Sequence, residues 1–357
     1  MSEERARPLE RLVVERGLDA LLVTDISNVR YLTGFTGTNA ACVVGPGLRV
    51  FITDFRYVAQ AEQQVEGFER VQGRQELLGD VSQRLSGRVG FDDANVTVRR
   101  HGRLRELVEA GVELVAAGGL VEQLRTVKDR DELDAIRRSA ALTDEVYEHL
   151  CRRGLVGRTE REVAIDLERE MRELGAEGPS FPSIVAAGAH GALPHASPRE
   201  ERIGSGALVI VDLGCVLDGY CSDCTRTFAT GRLSEQARAA YELVLEAQET
   251  ALAAVVAGAH CRAIDSIARE AIAAAGHEEH FGHGLGHGVG LEIHEQPRLS
   301  PSAGVDDQLA AGNVVTVEPG VYLPGSFGVR IEDLVVVGSD GPEVLSRFPK
   351  GLITLGA

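Results

Sequence analysis

Two aspartates in a strongly apolar part of the chain restrict its fold more than any other sequence feature. Asp212 and Asp223 stand eleven residues apart on two apolar runs that a glycine-containing turn, 217–220, connects. Such runs on either side of a glycine turn predict two paired, buried strands. Burying an ionised aspartate is costly unless it is paired, and two that face each other raise each other's pKa. We therefore expect a cation between them, most simply a divalent one; the alternative is that both aspartates cap turns at strand ends.

The predicted order of elements occurs twice, before and after residue 231. The first set is a helix to about 152, a helix from Thr159 to Gly175, a strand 183–186, a loop with His195, and the aspartate hairpin. The second set is a helix 234–256, a helix 262–275, a His-Gly loop 280–295, and strands 314–318 and 329–336. Residue identities do not repeat closely enough for a sequence repeat. We predict two structural halves whose hairpins face each other across a pseudo-two-fold axis.

The second half supplies two more carboxylates and two histidines. Glu318 and Glu332 stand fourteen residues apart, each near the centre of its predicted hairpin, and glycine fills every second position from 282 to 290 around His283 and His287. Each glycine costs ~1 kcal/mol in a helix, which excludes a helical zinc motif. Glycines in an extended chain instead allow close approach to a ligand.

Four carboxylates with one imidazole predict an oxygen-rich site whose negative charge suits two divalent ions better than one. Such ligands favour Mn²⁺ or Co²⁺, with Zn²⁺ as the alternative. Two ions can lower the pKa of a bridging water and polarise a carbonyl, which is the chemistry of peptide hydrolysis.

The first third of the chain predicts a separate α/β domain. Short β-like runs alternate there with helical ones; the strands are 20–24, 41–45, 49–53, 88–91 and 112–115, and the helices are 56–65 and 101–109. A charged segment, 125–133, then leads into the first long helix. We place the domain boundary there, giving domains 1–124 and 125–357.

Charge and cysteine content indicate which partners and which cellular compartment to expect. The net charge of -17 with no basic run disfavours nucleic acid and anionic membranes as partners. The charged N-terminus is unlike a signal peptide and the most apolar helix is too short to span a bilayer, so we expect a cytoplasmic protein. The six cysteines should then be reduced. Cys221 and Cys224 have redox-motif spacing, but a strand directs them to opposite faces, which favours structural roles.

Seven ordered motifs closely resemble the "pita-bread" dinuclear metallopeptidases, specifically the Xaa-Pro group that includes prolidase and aminopeptidase P. The motifs are Phe181–Val185, Leu193–His195, Val211–Gly214, Gly219–Thr227, Gly286–Glu295, Val317–Tyr322 and Gly328–Asp333. Residues 8–124 resemble the family's N-terminal domain through 31–35 and 53–57. The resemblance implies a creatinase-type α/β N-terminal domain and an α+β pita-bread (creatinase/methionine aminopeptidase-like) catalytic domain with pseudo-two-fold symmetry.

The resemblance also implies a role for each site residue. Asp212 would bind one metal, Asp223 and Glu332 would bridge both, and His287 and Glu318 would complete the other, with Glu318 also shuttling the proton. His195, His283 and His294 would surround the scissile bond, where they bind the substrate and stabilise the tetrahedral intermediate. Arg330, grouped with the substrate-binding residues, would lie near the metal-binding glutamate. Arg298 matches a prolidase arginine that binds the free carboxylate of a dipeptide; surface solvation explains it equally simply.

From this resemblance we favour an Xaa-Pro aminopeptidase over an Xaa-Pro dipeptidase, with broader specificity as a further alternative. The N-terminal domain and the His195 loop argue against a methionine aminopeptidase, and the intact ligand set argues against creatinase. A non-catalytic peptide-binding relative would have lost ligands, and none is lost here. The expected partners are short peptide substrates and a second copy of the chain in a homodimer.

Overall fold

The computed structural model describes residues 2–356, so Met1 and Ala357, the outer limits of the two predicted domains, lie outside it. The chain divides into two compact units, Met1–Arg125 and Thr126–Ala357. Within the described range, no helix combines the length and apolar character needed to cross a membrane.

The first unit is an α/β layer built on a six-stranded mixed sheet ordered β4-β3-β2-β1-β5-β6. Its strands are β1 (Ala20–Val23), β2 (Ala40–Gly45), β3 (Leu48–Asp54), β4 (Glu69–Gly73), β5 (Arg88–Phe91) and β6 (Glu113–Ala116). Its helices are α1 (Ser2–Glu15), α2 (Ile26–Thr33), α3 (Val58–Gln64), α4 (Leu78–Ser82), α5 (Val98–Leu107) and α6 (Leu120–Arg125). The α/β prediction is confirmed, although the sequence did not indicate β4 or the helices α1, α2, α4 and α6.

The second unit contains two helix pairs in the predicted order. They are α7 (Arg130–Arg153) with α8 (Glu160–Glu173), and α9 (Glu235–Ala253) with α10 (Cys261–Ala274). A capping box begins α8, because Thr159 accepts from the Glu162 amide while Glu162 accepts from the Thr159 amide. Ser234 caps α9 through the Ala237 amide. Capping at these predicted positions satisfies amides that a helix start would otherwise leave unpaired.

The strands of the second unit form two principal sheets, β12-β9-β8 and β14-β13-β15-β18-β19, and two small ones, β11-β10-β7 and β16-β17. The bounds in the first half are β7 (Gly178–Pro179), β8 (Ile184–Ala187), β9 (Leu208–Leu213), β10 (Cys215–Leu217), β11 (Tyr220–Cys221) and β12 (Cys224–Ala229). Those in the second half are β13 (Gly286–Gly288), β14 (Glu295–Leu299), β15 (Val314–Val317), β16 (Gly320–Leu323), β17 (Phe327–Arg330), β18 (Asp333–Val337) and β19 (Pro342–Val344).

Each half repeats one motif, in which two long antiparallel strands are joined through a smaller hairpin. In the first half β9 pairs with β12 around the β10–β11 hairpin, and in the second β15 pairs with β18 around β16–β17. The pseudo-two-fold arrangement of a pita-bread fold is thereby confirmed.

The prediction of two simple hairpins is wrong, and so is the prediction of one continuous strand over 329–336. The register partner of Asp212 is Thr225 rather than Asp223. A Cβ atom on Gly214 would overlap the carbonyl of Ser222, so only glycine allows the chain to leave the long strand at this crossing. The second strand is likewise interrupted before Asp333. As a result, the carboxylates stand at the inner ends of the long strand pairs and not at hairpin centres.

Candidate metal centre and substrate cavity

One cavity of about 650 Å³ in the second unit brings together all ten residues predicted for the site. They are Asp212, Asp223, His287, Glu318, Glu332, His195, His283, His294, Arg298 and Arg330. Apolar side chains complete part of the wall, among them Phe181, Pro182, Ile184 and Ile293. The roles assigned to these residues stay predictions.

Four strand ends place the carboxylates around one imidazole. Asp212 lies in β9, Asp223 precedes β12, Glu318 follows β15 and Glu332 precedes β18. His287, in β13, has its Nε2 3.6 Å from Asp223 Oδ2 and 3.3 Å from Glu318 Oε1. Ligand atoms of Asp223, His287 and Glu332 all lie within 4.8 Å of one another, a spacing that could hold a metal ion.

Three carboxylate oxygens at this centre are buried and have no hydrogen-bond partner among residues 2–356. They are Asp212 Oδ1, Asp223 Oδ1 and Glu332 Oε1. Buried polar atoms in folded proteins nearly always have a partner, so three orphans in one cluster need an explanation. Divalent metals prefer oxygen ligands of this kind. The residues present therefore fit a metal centre.

Two other oxygens of the cluster accept hydrogen bonds from threonine side chains. Thr225 Oγ1 donates to Glu332 Oε2 at 2.7 Å, and Thr316 Oγ1 donates to Glu318 Oε1 at 3.1 Å. Sequence reasoning missed both threonines. Their signal was their spacing, since each stands two residues from a site carboxylate and residues two apart on a strand share a face.

Burial and mutual repulsion shift the titration of these groups. Burial, followed by the charge of Glu332, raises the pKa of Asp223 well above its usual value. Burial and the charge of Glu318 do the same for Glu332, and burial raises the pKa of Glu318 to about 7. Burial lowers the pKa of His287 to about 3, which leaves it as the neutral imidazole that metals bind. A divalent cation would compensate this repulsion.

Arg330 is buried, and its guanidinium donates four hydrogen bonds. It donates to Asp212 Oδ2 at 2.6 Å, to Thr225 Oγ1 at 3.1 Å, to the Pro194 carbonyl at 3.2 Å and to the Tyr322 hydroxyl at 2.8 Å. The sequence placed it near a metal-binding glutamate; its ion pair is with Asp212, and its charge also acts on Glu332. Arg330 lines the cavity and orients Asp212 there.

Tyr322 connects Arg330 to His283, and its motif position was the only sequence signal for it. His283 Nδ1 lies 2.8 Å from the Gly284 carbonyl, so this nitrogen carries the proton. His283 Nε2, 2.9 Å from the Tyr322 hydroxyl, must then accept. Burial and the charge of Arg330 lower the pKa of His283 to about 4. Both ring nitrogens of this neutral histidine are thus engaged.

The remaining predicted residues stand at the solvent side of the cavity. His195, His294 and Arg298 are exposed. The His294 ring meets the His287 ring edge-on with centroids 4.4 Å apart, and Arg298 lies opposite His287 in the β13–β14 register. The Arg298 guanidinium forms no ion pair or hydrogen bond with any described residue. It is a free cation beside the candidate metal centre.

The six cysteines are all free thiols. Cys221 Sγ contacts the Leu291 carbonyl and Cys224 Sγ the Glu332 carbonyl, so the two side chains diverge as predicted. Burial raises the pKa of both thiols, which disfavours the reactive thiolate.

Comparisons with known proteins identify the same peptidase family over nearly the whole chain. The model of metallopeptidase family M24 matches residues 134–339, and that of the creatinase/prolidase N-terminal domain matches residues 5–127. An Xaa-Pro dipeptidase of Pyrococcus furiosus is 32% identical, with 98% of this chain and 100% of the relative covered.

Two solved structures are similar over nearly their whole length. The Xaa-Pro dipeptidase from Bacillus anthracis has a TM-score of 0.96 at 39% identity, covering 99% of this chain and 100% of that one. The X-Pro aminopeptidase from Thermotoga maritima has a TM-score of 0.88 at 34% identity, covering 97% and 99%. Family membership implies divalent metal ions. The chain belongs to metallopeptidase family M24, and its N-terminal part matches the creatinase/prolidase N-terminal domain.

Proposed function

We propose that this protein is an exopeptidase that removes the N-terminal residue from short peptides with proline in second position. The observation that carries the proposal is the cluster of three buried, unpartnered carboxylate oxygens around a neutral imidazole. The Xaa-Pro activities named for similar proteins supply the substrate class.

Five residues would hold two divalent ions: Asp212, Asp223, His287, Glu318 and Glu332. Mn²⁺ or Co²⁺ fits this oxygen-rich set best, with Zn²⁺ as the alternative. When bound, such ions lower the pKa of an attacking water and polarise the scissile carbonyl. Arg330, Thr225 and Thr316 keep the carboxylates oriented toward the ions.

Glu318 is the proton carrier in this proposal. Its carboxylate lines the cavity, where it would take a proton from the attacking water and return it to the leaving group. The water oxygen bonds to the carbonyl carbon, the C–N bond breaks, and the proline nitrogen receives the proton. This nitrogen has no hydrogen in the peptide, because proline forms a tertiary amide. The exposed His195 and His294 would bind the peptide at the reacting bond.

Arg298 directs the proposal on peptide length toward dipeptides. The sequence favoured longer peptides, but an exposed cation that has no partner among the described residues suits the free carboxylate of an Xaa-Pro dipeptide. Cleavage of longer peptides is the second candidate, because the cavity is lined at this side by exposed residues that would let a chain extend.

The deciding experiment compares Ala-Pro, Gly-Pro-Gly and Xaa-Ala dipeptides on the wild-type protein and on Arg298→Ala. We expect the variant to lose about 10- to 100-fold in kcat/KM for dipeptides but not for Gly-Pro-Gly, as for the loss of a charged hydrogen bond. Arg152→Ala, at an exposed position on α7, is the matched control. Equal losses on all lengths would refute the carboxylate role, and absence of Xaa-Pro hydrolysis by the wild-type protein would refute the function.

Two further proposals concern the setting of the enzyme. Free thiols are typical of a reducing compartment, which supports a cytoplasmic location. The family resemblance supports a homodimer. Light scattering of the purified protein would measure the mass directly, and a monomer at all concentrations would contradict the latter proposal.

A further inference from the structure

The glycine-rich segment 281–290 has to be rigid although its composition opposes rigidity. It carries His283 and His287, yet glycine fills every second position and only Gly286–Gly288 is a regular strand. Glycine loses more conformational entropy on folding than other residues, so such a segment is poorly ordered by itself. Contacts from outside the segment must fix the two histidines.

Neighbouring strands hold the part of the segment around β13, which lies between β14 and β15 in the sheet. The Glu318 amide donates to the Leu285 carbonyl at 2.8 Å, and the His287 amide donates to Thr316 Oγ1 at 3.1 Å. Gly286 pairs with Leu299 of β14. These contacts involve strands β14 and β15 and the residues next to them.

Two side chains of helix α10 hold the part of the segment that precedes β13. Asp265 and Arg269, one turn apart, form a two-pronged ion pair with both N···O distances 2.8 Å. Arg269 Nη1 donates to the Phe281 carbonyl at 2.9 Å and Nη2 to the His283 carbonyl at 2.7 Å, while Asp265 Oδ1 accepts from the Leu285 amide at 2.9 Å. Bonding at alternate residues is what an adjacent strand would provide.

Burial and stacking make this contact stiff. The Asp265 side chain is 1% exposed and that of Arg269 27%. The Arg269 guanidinium also lies 4.4 Å from the centre of the Phe281 ring. A bidentate arginine–carboxylate pair is both stronger and more directional than a single charged hydrogen bond.

We propose that Asp265 and Arg269 are positioning residues that hold the chain at residues 281–285, before β13, and thereby fix His283 and His287 for the reaction. Neither side chain lines the cavity, so they act through the segment and not on substrate. Leu285 connects these two side chains to Glu318, because its amide donates to Asp265 while its carbonyl accepts from the Glu318 amide. The proposal rests on the proposed function for the meaning of the site, but the order of the segment can be measured without it.

The test compares Arg269→Met, which keeps the side-chain length without donors, with Arg269→Lys and with Arg169→Met. Arg169 forms a similar helical ion pair with Glu173 at 2.7 Å, but on the surface of α8. Measurements on the full chain are hydrogen exchange of peptides spanning 281–287, the Mn²⁺ concentration for half-maximal activity, and kcat/KM on Ala-Pro.

We expect Arg269→Met to exchange faster in 281–287, to need more Mn²⁺, and to lose about 10- to 100-fold in kcat/KM. Arg269→Lys should fall between it and the wild type, and Arg169→Met should match the wild type. Exchange and Mn²⁺ dependence equal to those of Arg169→Met would overturn the proposal. The proposal would also be overturned if the Arg269 variants lost activity only in proportion to a lower melting temperature. Faster exchange in a protein whose wild type lacks peptidase activity would refute the proposed function alone.

Discussion

At the residue scale, carboxylates of the candidate centre keep one oxygen fixed and leave the other for a ligand. Asp212 is fixed by Arg330 and Glu332 by Thr225, while Asp212 Oδ1 and Glu332 Oε1 have no partner among the described residues. Fixing one oxygen sets the plane of the carboxylate before any ligand arrives. Such outer contacts commonly matter almost as much as the ligands themselves.

Replacing Glu318 tests the proposed chemistry most directly. We expect Glu318→Ala to abolish turnover of Ala-Pro, because the proposed proton carrier and a metal ligand are lost together. The far-ultraviolet circular dichroism spectrum should be unchanged. Glu242→Ala, at an exposed position on α9, controls for loss of a carboxylate elsewhere. Near-normal activity in Glu318→Ala would contradict the assignment.

The raised carboxyl pKa values predict how the metal-free protein responds to pH. Burial raises the pKa of Glu318 from 4.5 to about 7, and the pKa values of Asp223 and Glu332 also rise. The folded state therefore binds these protons more tightly than the unfolded state, so its stability falls as pH rises toward and through the folded pKa values. The lowered pKa values of His283 and His287 act in the opposite direction, but only below their ordinary value of 6.5.

Above pH 6.5, of these groups only the carboxyls still change the stability with pH. The free energy of unfolding of chelator-treated protein should therefore decrease with rising pH. Protein saturated with Mn²⁺ should show a much smaller decrease, since the bound cation replaces the protons. Urea denaturation of both forms at a series of pH values measures this difference. Parallel curves for the two forms would contradict the proposed link between these carboxylates and metal.

At the scale of elements, the crossing at Gly214 shapes the first half of the site. Gly214→Ala should destabilise the protein by about 1–3 kcal/mol, because the new methyl group would overlap the buried Ser222 carbonyl. Gly204→Ala is the matched control, since a Cβ there would meet no atom within 4 Å. Denaturant unfolding measures both. Equal stability of the two variants would show that the crossing tolerates a side chain.

The same crossing shows where sequence reasoning reached its limit. The paired helices and the two carboxylate-bearing strand pairs could be predicted, because apolar periodicity and helix-start residues such as Thr159 and Ser234 are local signals. The breaks at Gly214 and before Asp333 could not, since they depend on contacts between segments that local patterns do not record. The site residues were found through charge in apolar strands and through motif resemblance. Tyr322 escaped because its link to Arg330 depends on the β16–β17 register.

At the scale of the whole catalytic unit, the segment 346–355 ties the two halves together. Arg226 of β12 pairs with Asp333 of β18 at 2.9 Å and donates to the Phe348 carbonyl, and Lys350 pairs with Asp333 at 2.9 Å. Phe348 stacks on Tyr147 of α7 with ring centroids 4.9 Å apart. One short segment therefore contacts a helix of the first half and a strand from each half.

Phe348→Ala should cost about 3–5 kcal/mol, as for other buried phenylalanines. Phe55→Ala, where the ring is 70% exposed, should change stability by no more than about 0.5 kcal/mol. Thermal and denaturant unfolding of both variants provide the comparison. A Phe348 variant as stable as the wild type would mean that the packing of this segment does not contribute to the stability of the fold.

The position of this segment also bears on the order of events during biosynthesis. A ribosome adds residues 346–355 only after all five proposed metal ligands, the last of which is Glu332. Until then, the buried Arg226 lacks its carbonyl acceptors at Phe348 and Pro349, and Asp333 lacks Lys350. A nascent chain that already contains every ligand thus still lacks the contacts that join the two halves. The contacts that join the two halves around the candidate metal centre therefore form only after residues 346–355 have been added.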